Sequence, residues 1–433
     1  MRLLVTALAP SHLLCMVPLA WAARAAGHEV LVAGRAEVAR AAVEAGLPAA
    51  EITELSVAPP TAGPALTVPA LPRMAEMLAG EQLRGFAGQR WTSGGHPWQV
   101  RVARVIDGYI TLAQRWRAEV ILCDPIEFAG LVTGGLLGIP VVVQRWGGPD
   151  SMSAEAITRA RGILAELSAG LGLVGELPAP AATLDPCPPS LRSDTTTPVQ
   201  SMRFVPYNGS QSVPGWAHTR SSRRRICVTF GLFGSQAAMT GADFVAGGNL
   251  PQLLDAITEA LRPWSEHDVV MTAPAQVHDM LSAVPPWVRL VDRVPLDAVL
   301  AQSDLVVHHG GTGTAMTACA RGVPQLLLPP EHPALLDCAR GLARQGAGRI
   351  LEGEARTNPQ ALRDEARRLL GEPAHRDRAR ELAEEIAAQP TPAELVSVLA
   401  GFADPAGSRN GASGPGSTSH RIRVASPVAT SKS

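Results

Sequence analysis

At 433 residues the chain is long enough for two domains of ordinary size, each with a full hydrophobic core. Its 38 basic and 39 acidic residues nearly cancel, which leaves no electrostatic footprint for nucleic acid or an anionic membrane and favours a small-molecule partner. The six cysteines (Cys15, Cys123, Cys187, Cys227, Cys319, Cys338) are scattered and form no C-x-x-C pair; neither a zinc site nor a disulfide framework is readable, and free thiols in a reducing, cytoplasmic compartment are expected.

In chain order, residues 3–8 read as a first buried strand. A signal peptide also begins with a charge and an apolar run, but here Pro10 and His12 interrupt the run and no small-residue cleavage site follows. Residues 18–27 read as a helix with Pro18 in its first turn and Gly27 at its end. A strand at 29–33 and a helix at 37–45, closed by Gly46, come next. Residues 56–96 are rich in Pro, Gly and Ala without a period, which predicts a long connection of the kind that often binds ligands. Helical spacing returns at 98–117, followed by a strand at 120–123 that ends on Asp124-Pro125, a helix at 127–137 before Gly138, and a strand at 139–143. Repeated β-α-β predicts a doubly wound parallel sheet with its sites at the carboxyl ends of the strands.

Between 178 and 225 the composition shifts to Pro, Ser, Thr and Gly, with a basic cluster at Arg220, Arg223, Arg224 and Arg225. This predicts an interdomain linker over 206–223, between an N-terminal domain at 1–205 and a C-terminal domain at 224–403. The arginines read as a solvated linker face, with phosphate neutralisation as the alternative. A second alternating series begins at 226–230, with a helix at 250–261 and strands at 268–272 and 288–291. Then comes the most informative stretch. Leu305, Val306 and Val307 form a short buried strand that breaks into His308-His309-Gly310-Gly311-Thr312-Gly313-Thr314 and continues at helical spacing to Gly322. Glycines let backbone approach a ligand closely, and the free N–H groups at a helix start favour a phosphate or diphosphate. A strand at 324–328 and helices at 335–345, 361–370 and 376–388 follow, and the tail from 404 to 433 has the composition of a disordered segment.

Four motifs in this order resemble one family. They are Val17-Pro18-Leu19-Ala20-Trp21-Ala22-Ala23-Arg24-Ala25-Ala26-Gly27-His28-Glu29-Val30, Arg203-Phe204-Val205-Pro206-Tyr207-Asn208-Gly209, Val291-Asp292-Arg293-Val294-Pro295-Leu296-Asp297, and the histidine-glycine stretch with Gly322-Val323-Pro324-Gln325. Together they are similar to the family 1-like, nucleotide-sugar-dependent glycosyltransferases of the GT-B fold, in particular the actinobacterial enzymes that attach deoxysugars to polyketide antibiotics. The resemblance implies two Rossmann-like doubly wound domains facing across a cleft. It implies an inverting, metal-independent transfer from a nucleoside diphosphate sugar, a thymidine diphosphate deoxysugar, with no further cofactor. Partners implied are the small-molecule aglycone and the nucleotide sugar, a homodimer, and a cytochrome P450-like helper protein.

Residue by residue, the resemblance makes His12 the base that takes the acceptor proton, in the loop between the first strand and the first helix. An imidazole titrates near neutrality, which suits the task; a surface-loop histidine is the plain alternative. Asp124 is the implied partner that holds the base in one tautomer, although an aspartate before Pro125 also suits a helix start. His309 is implied as a phosphate contact, with Gly311, Thr312, Gly313 and Thr314 offering N–H and hydroxyl donors that stabilise the leaving diphosphate. His308 is expected to point into the core or the interface between domains. Val294 matches the position whose backbone reads the nucleobase.

Two segments depart from the family pattern. The Asp-Gln pair that binds sugar hydroxyls in relatives is replaced by Pro329-Pro330-Glu331-His332-Pro333, which leaves Glu331 and His332 as the nearest polar substitutes. In the other, Gly231-Leu232-Phe233-Gly234-Ser235 shifts the only hydroxyl of the phosphate loop to Ser235. A dehydrogenase is disfavoured because the first turn reads Ala9-Pro10-Ser11-His12 and not G-x-G-x-x-G. A nucleotide-sugar epimerase and a non-catalytic auxiliary subunit remain as alternatives.

Overall fold

The computed structural model describes residues 1–53, 97–149, 154–193, 198–231, 250–273, 275–278, 284–330 and 333–403. The long connection expected at 56–96 and the tail from 404 lie outside them, as do Ser235, Glu331 and His332.

The first half alternates β1 (Arg2–Thr6), α1 (Pro10–Ala25), β2 (Glu29–Gly34), α2 (Ala36–Glu44) and β3 (Ala49–Glu51). It continues with α3 (Pro97–Trp116), β4 (Val120–Cys123), α4 (Phe128–Leu137), β5 (Val141–Gln144), α5 (Ala154–Gly170), β6 (Ala182–Asp185) and β7 (Gln200–Ser201). Seven strands pair in the order β3-β2-β1-β4-β5-β6-β7, and every pairing is parallel. Helices cover both faces, so the central strands are apolar throughout rather than alternating: Leu3, Leu4 and Val5 are all buried, with Leu4 facing one core and Leu3 and Val5 the other.

The second half contains α6 (Gly215–His218), β8 (Arg225–Thr229), α7 (Leu250–Leu261), β9 (Asp268–Thr272), α8 (Ala275–His278), β10 (Val288–Val291) and α9 (Leu296–Leu300). After these come β11 (Leu305–His308), α10 (Thr312–Ala320), β12 (Gln325–Leu327), α11 (Pro333–Arg344), β13 (Gly348–Ile350), α12 (Pro359–Gly371), α13 (Pro373–Ala388) and α14 (Pro392–Ala403). Its six strands run β10-β9-β8-β11-β12-β13, again all parallel. The doubly wound, two-domain architecture expected from the alternation is therefore the one found. Among the described residues no helix is long and apolar enough to cross a membrane.

Three expectations need correction. The first helix starts at Pro10, not near Pro18, because Leu13, Met16 and Val17 bury along its inner face and Pro10 takes the N-terminal position where a missing N–H costs nothing. His12 therefore sits in a helical first turn and not in a loop. Within the stretch of shifted composition from residue 178, β6 and β7 extend the first sheet, although they are only 4 and 2 residues long. Arg225 is no solvated linker residue. Its guanidinium is buried, pairs with Asp268 at 2.7 Å and donates to the carbonyls of Ala217, Trp216 and Thr219.

The chain passes between the two sheets twice. The first passage lies between β7 and β8. On the second, α14 returns to lie against α1, with Leu395, Val396 and Leu399 joining the core that contains Leu3, Val5 and Leu13. The passages meet at Arg203, whose amide donates to Pro390 O at 2.7 Å and whose Nε donates to Gln389 O at 3.2 Å.

Candidate active site

In a doubly wound sheet the crevice opens where the strand order reverses, at the carboxyl ends of the two strands flanking that point. In the first sheet these are β1 and β4, paired so that Thr6 faces Cys123. His12 follows β1 and Asp124 follows β4. The two meet, with His12 Nδ1 3.2 Å from Asp124 Oδ2.

Asp124 is buried and both its oxygens accept. Oδ2 takes the Leu8 N–H at 2.6 Å as well as the imidazole, while Oδ1 takes the amides of Ile126 at 2.8 Å and Glu127 at 3.1 Å. One oxygen thus builds the turn before α4, and the other faces His12. A carboxylate can only accept, so Nδ1 carries a proton toward Asp124, and in the neutral ring the lone pair then lies on Nε2. The His12 side chain is 21% exposed and leans on Trp146, ring centroids 4.4 Å apart. Behind the pair lies Glu127. Burial, reinforced by the Asp124 charge, pushes its carboxyl up to about 7, and Oε1 accepts the Ala129 N–H at the start of α4.

In the second sheet the reversal falls between β8 and β11, where His308 faces Thr229. Beyond these strands Gly231, His309 and Thr314 converge. A Cβ on Gly231 would lie 3.2 Å from His309 Cε1 and 3.7 Å from Thr314 Oγ1, and one on Gly311 would lie only 2.2 Å from His309 Nε2. Gly310 adopts φ +82°, a left-handed turn that glycine enters without steric cost and that leads the strand into α10. Gly311 caps that helix without a side-chain bond, and the first intrahelical donor is Ala315 N. The amides of Thr312, Gly313 and Thr314 are therefore left at the positive end of the helix.

Burial lowers His309 to about 3, with His308 and the buried Arg356 adding to the effect, so the imidazole at this helix start is neutral. His308 points into the core as expected. Its Nδ1 accepts the Gly310 N–H at 3.1 Å and its Nε2 donates to Gln325 Oε1 at 2.9 Å, which locks the turn geometry. Val294 is buried beside Leu296 and Val299. Thr312 turns away from the other donors, toward Gly148 of the first half and the Cys338 thiol.

The two half-sites approach through the loop after β5. Trp146 touches His12, and a Cβ on Gly148 would lie 3.0 Å from Thr312 Oγ1 at the start of α10. Neither this loop nor Arg356 was among the expected site residues. A Gly-Gly pair two residues beyond a buried strand, at 147–148, is the signal that would have pointed to the loop; nothing in the sequence marks Arg356.

The geometry agrees with what the chain is similar to. Residues 21–231 and 253–402 match the family described as Erythromycin biosynthesis protein CIII-like, N-terminal domain and C-terminal domain respectively. Aclacinomycin-T 2-deoxy-L-fucose transferase of Streptomyces galilaeus is 30% identical over 412 residues, which cover 86% of this chain and 89% of that protein. For 10-deoxymethynolide desosaminyltransferase of Streptomyces venezuelae the identity is 31% over 406 residues, covering 86% and 90%. Among solved structures, the spinosyn rhamnosyltransferase SpnG in complex with thymidine diphosphate superposes with a TM-score of 0.75 at 32% identity, covering 92% of this chain and 99% of that one. SnogD from Streptomyces nogalater gives 0.71 at 29% identity, covering 93% and 99%. The chain belongs to the erythromycin CIII-like antibiotic glycosyltransferases, nucleotide-sugar-dependent enzymes of the GT-B fold.

Proposed function

We propose that the enzyme transfers a deoxysugar from a thymidine diphosphate donor to a hydroxyl of a polyketide-type aglycone, with inversion and without a metal ion. The observation that carries this reading is the His12–Asp124 pair at the reversal of one sheet, joined through one loop to an uncapped helix start at the reversal of the other. The acceptor oxygen attacks the anomeric carbon from the face opposite the diphosphate and loses its proton to His12 Nε2. The bond from that carbon to the diphosphate oxygen breaks, and its electron pair leaves with the phosphate. Asp124 steadies the imidazolium that forms.

On the donor side the amides of Thr312, Gly313 and Thr314 receive the developing charge, and the neutral His309 donates a hydrogen bond. Fixed dipoles of this kind supply the stabilisation that a cation provides elsewhere. Holding donor and acceptor across the crevice is worth about 7–11 kcal/mol when the reacting atoms are well aligned. That relatives are named as a deoxyfucose transferase and a desosaminyltransferase, and that SpnG is found with thymidine diphosphate, supports the choice of donor. Glu331 and His332 stand where relatives read sugar hydroxyls; we take Glu331 as a carboxylate available to an amine on the sugar.

The test is a mass-spectrometric screen against thymidine and uridine diphosphate sugars, amino sugars included, with polyketide aglycones, with and without a P450-like helper. His12→Ala should lower turnover about 10²–10⁴-fold, the usual worth of a general base, while nucleoside diphosphate affinity by calorimetry stays near wild type. Unchanged turnover removes His12 from the mechanism.

A further inference from the structure

The loop after β5 is anchored at both ends. At its root the buried Arg145 donates from Nη1 to Asp185 Oδ2 at 3.1 Å. At its far end Pro149 O accepts from Ser193 Oγ at 2.9 Å, and the proline ring abuts Gly341 of α11, 2.8 Å from where a Cβ there would sit. Between these anchors lies Trp146, whose ring is tilted 39° to the His12 imidazole at 4.4 Å. Its indole N–H is buried with no hydrogen-bond partner among the described residues. Packing alone sets where this ring lies.

Gly147 and Gly148 then press the same loop on the donor helix. Gly147 adopts φ +100° and a Cβ on it would lie 3.3 Å from Met316 Cγ; one on Gly148 would lie 3.0 Å from Thr312 Oγ1 and 3.2 Å from its Cγ2. No loop side chain separates backbone from helix there. Thr312 thus lies against the Gly148 backbone, two residues from Trp146.

His12 needs such a holder. Its bond to Asp124 fixes Nδ1 but leaves the ring free to swing about that contact, and Nε2, the atom that must meet the acceptor, is on the far side of the ring. We propose that Trp146 is the positioning residue that removes this freedom, and that the Gly147–Gly148 contact makes its hold depend on the first turn of α10. The proposal rests on the reading of His12 as base and of α10 as the donor site. Donor binding at that turn then tightens the base as well as the leaving group, so the proton acceptor is best aligned when a donor is in place.

The experiment is single-turnover kinetics on Trp146→Ala and Trp146→Phe, each also made in a His12→Ala background, with nucleoside diphosphate calorimetry on every variant. Trp146→Ala should lower the rate by up to about 10²-fold, the cost of a reacting group misplaced by around 1 Å, with donor KM and diphosphate affinity little changed. Phenylalanine, which keeps a ring against His12, should recover most of the loss. In the His12→Ala background Trp146→Ala should cost nothing further. An equal loss in both backgrounds overturns the proposal, because Trp146 would then act elsewhere. The helix link is tested by Gly148→Ala, whose methyl meets Thr312: the rate should fall, and Gly148→Ala with Thr312→Ala should return to the level of Thr312→Ala alone. A loss that persists in that pair overturns the link. If His12→Ala by itself leaves the rate intact, the base reading has failed and the positioning role falls with it; that result comes from a different variant and is told apart.

Discussion

Replacing Asp124 by Asn changes one oxygen to NH2 and forces a choice, since the carboxylate accepts at both ends. If the amide oxygen stays on Ile126 N and Glu127 N, at 2.8 and 3.1 Å, the NH2 faces the Leu8 N–H at 2.6 Å and orphans one buried donor. The opposite orientation orphans Ile126 N, because Glu127 N keeps the Asp124 carbonyl at 3.2 Å. Each arrangement leaves one donor unsatisfied, at about 1–3 kcal/mol; the first alone keeps both side-chain bonds of the turn before α4, and it is the one expected. The Asn NH2 then donates to His12 Nδ1, the ring proton moves to Nε2, and the atom facing the acceptor becomes a donor. The expected result is a folded protein with a melting temperature lower by a few degrees and a turnover lower by about 10²–10⁴-fold. Diphosphate affinity stays as in wild type, because the donor half is untouched. Single-turnover product formation, a melting curve and calorimetry read the three quantities. A folded Asp124→Asn protein with turnover near wild type would refute the tautomer argument.

Gly311→Ala places a methyl 2.2 Å from His309 Nε2 at an extended N-cap conformation (φ −60°, ψ 132°) that any residue adopts, so it displaces the imidazole without straining the backbone; calorimetry should show weakened diphosphate binding in a protein of near-native stability. Arg225→Met removes a buried partner of Asp268 and should cost about 3–5 kcal/mol in urea unfolding, whereas a solvated linker arginine would cost no more than about 1. Stability against pH carries opposed contributions. His308 and His309, lowered to about 4 and about 3 by burial, stay neutral while the unfolded chain takes up protons below about pH 6.5, so their contribution falls as pH falls through that value. Glu127, raised to about 7 from 4.5, holds a proton that the unfolded chain has released, so its contribution is lost as pH rises from 4.5 to 7. Glu127→Gln removes only that term. Unfolding titrations between pH 5 and 6.5 should therefore rise more steeply with pH in the variant, by about 1.4 kcal/mol per unit for one proton; parallel curves would show that Glu127 does not titrate there.

The long elements and the glycine-rich turn after β11 were legible because each carries a strong local signal. Buried parallel strands such as 120–123 and 226–228 are unbroken apolar runs, and His309-Gly310-Gly311 has a form that little else in a sequence produces. Elements whose signal is not local were hidden. β7 is 2 residues long and exists only because β6 offers it an edge, so no window of residues announces it. The start of α1 was misplaced because two prolines compete for the first turn, and tertiary burial of Leu13 and Met16 decides between them. Arg225 reads as one of several linker charges until Asp268, 43 residues away, is folded against it. Trp146 carries no motif of its own; what marks it is the neighbour it touches.

Arg203 makes the two passages between the sheets into one mechanical element. Had the connection before β8 and the return into α14 been apart, the halves would be held at two separated points, and only deformation of the sheets themselves would change the crevice. Because Pro390 and Gln389 are hydrogen-bonded to Arg203, both passages lie at a common pivot. Around that point the halves also share a packed core, in which Cys187, Leu191 and Phe204 meet Met316, Ala339 and Leu382, and Ser190 is bonded to Glu385. Any widening of the crevice must part those contacts while the two passages stay tied.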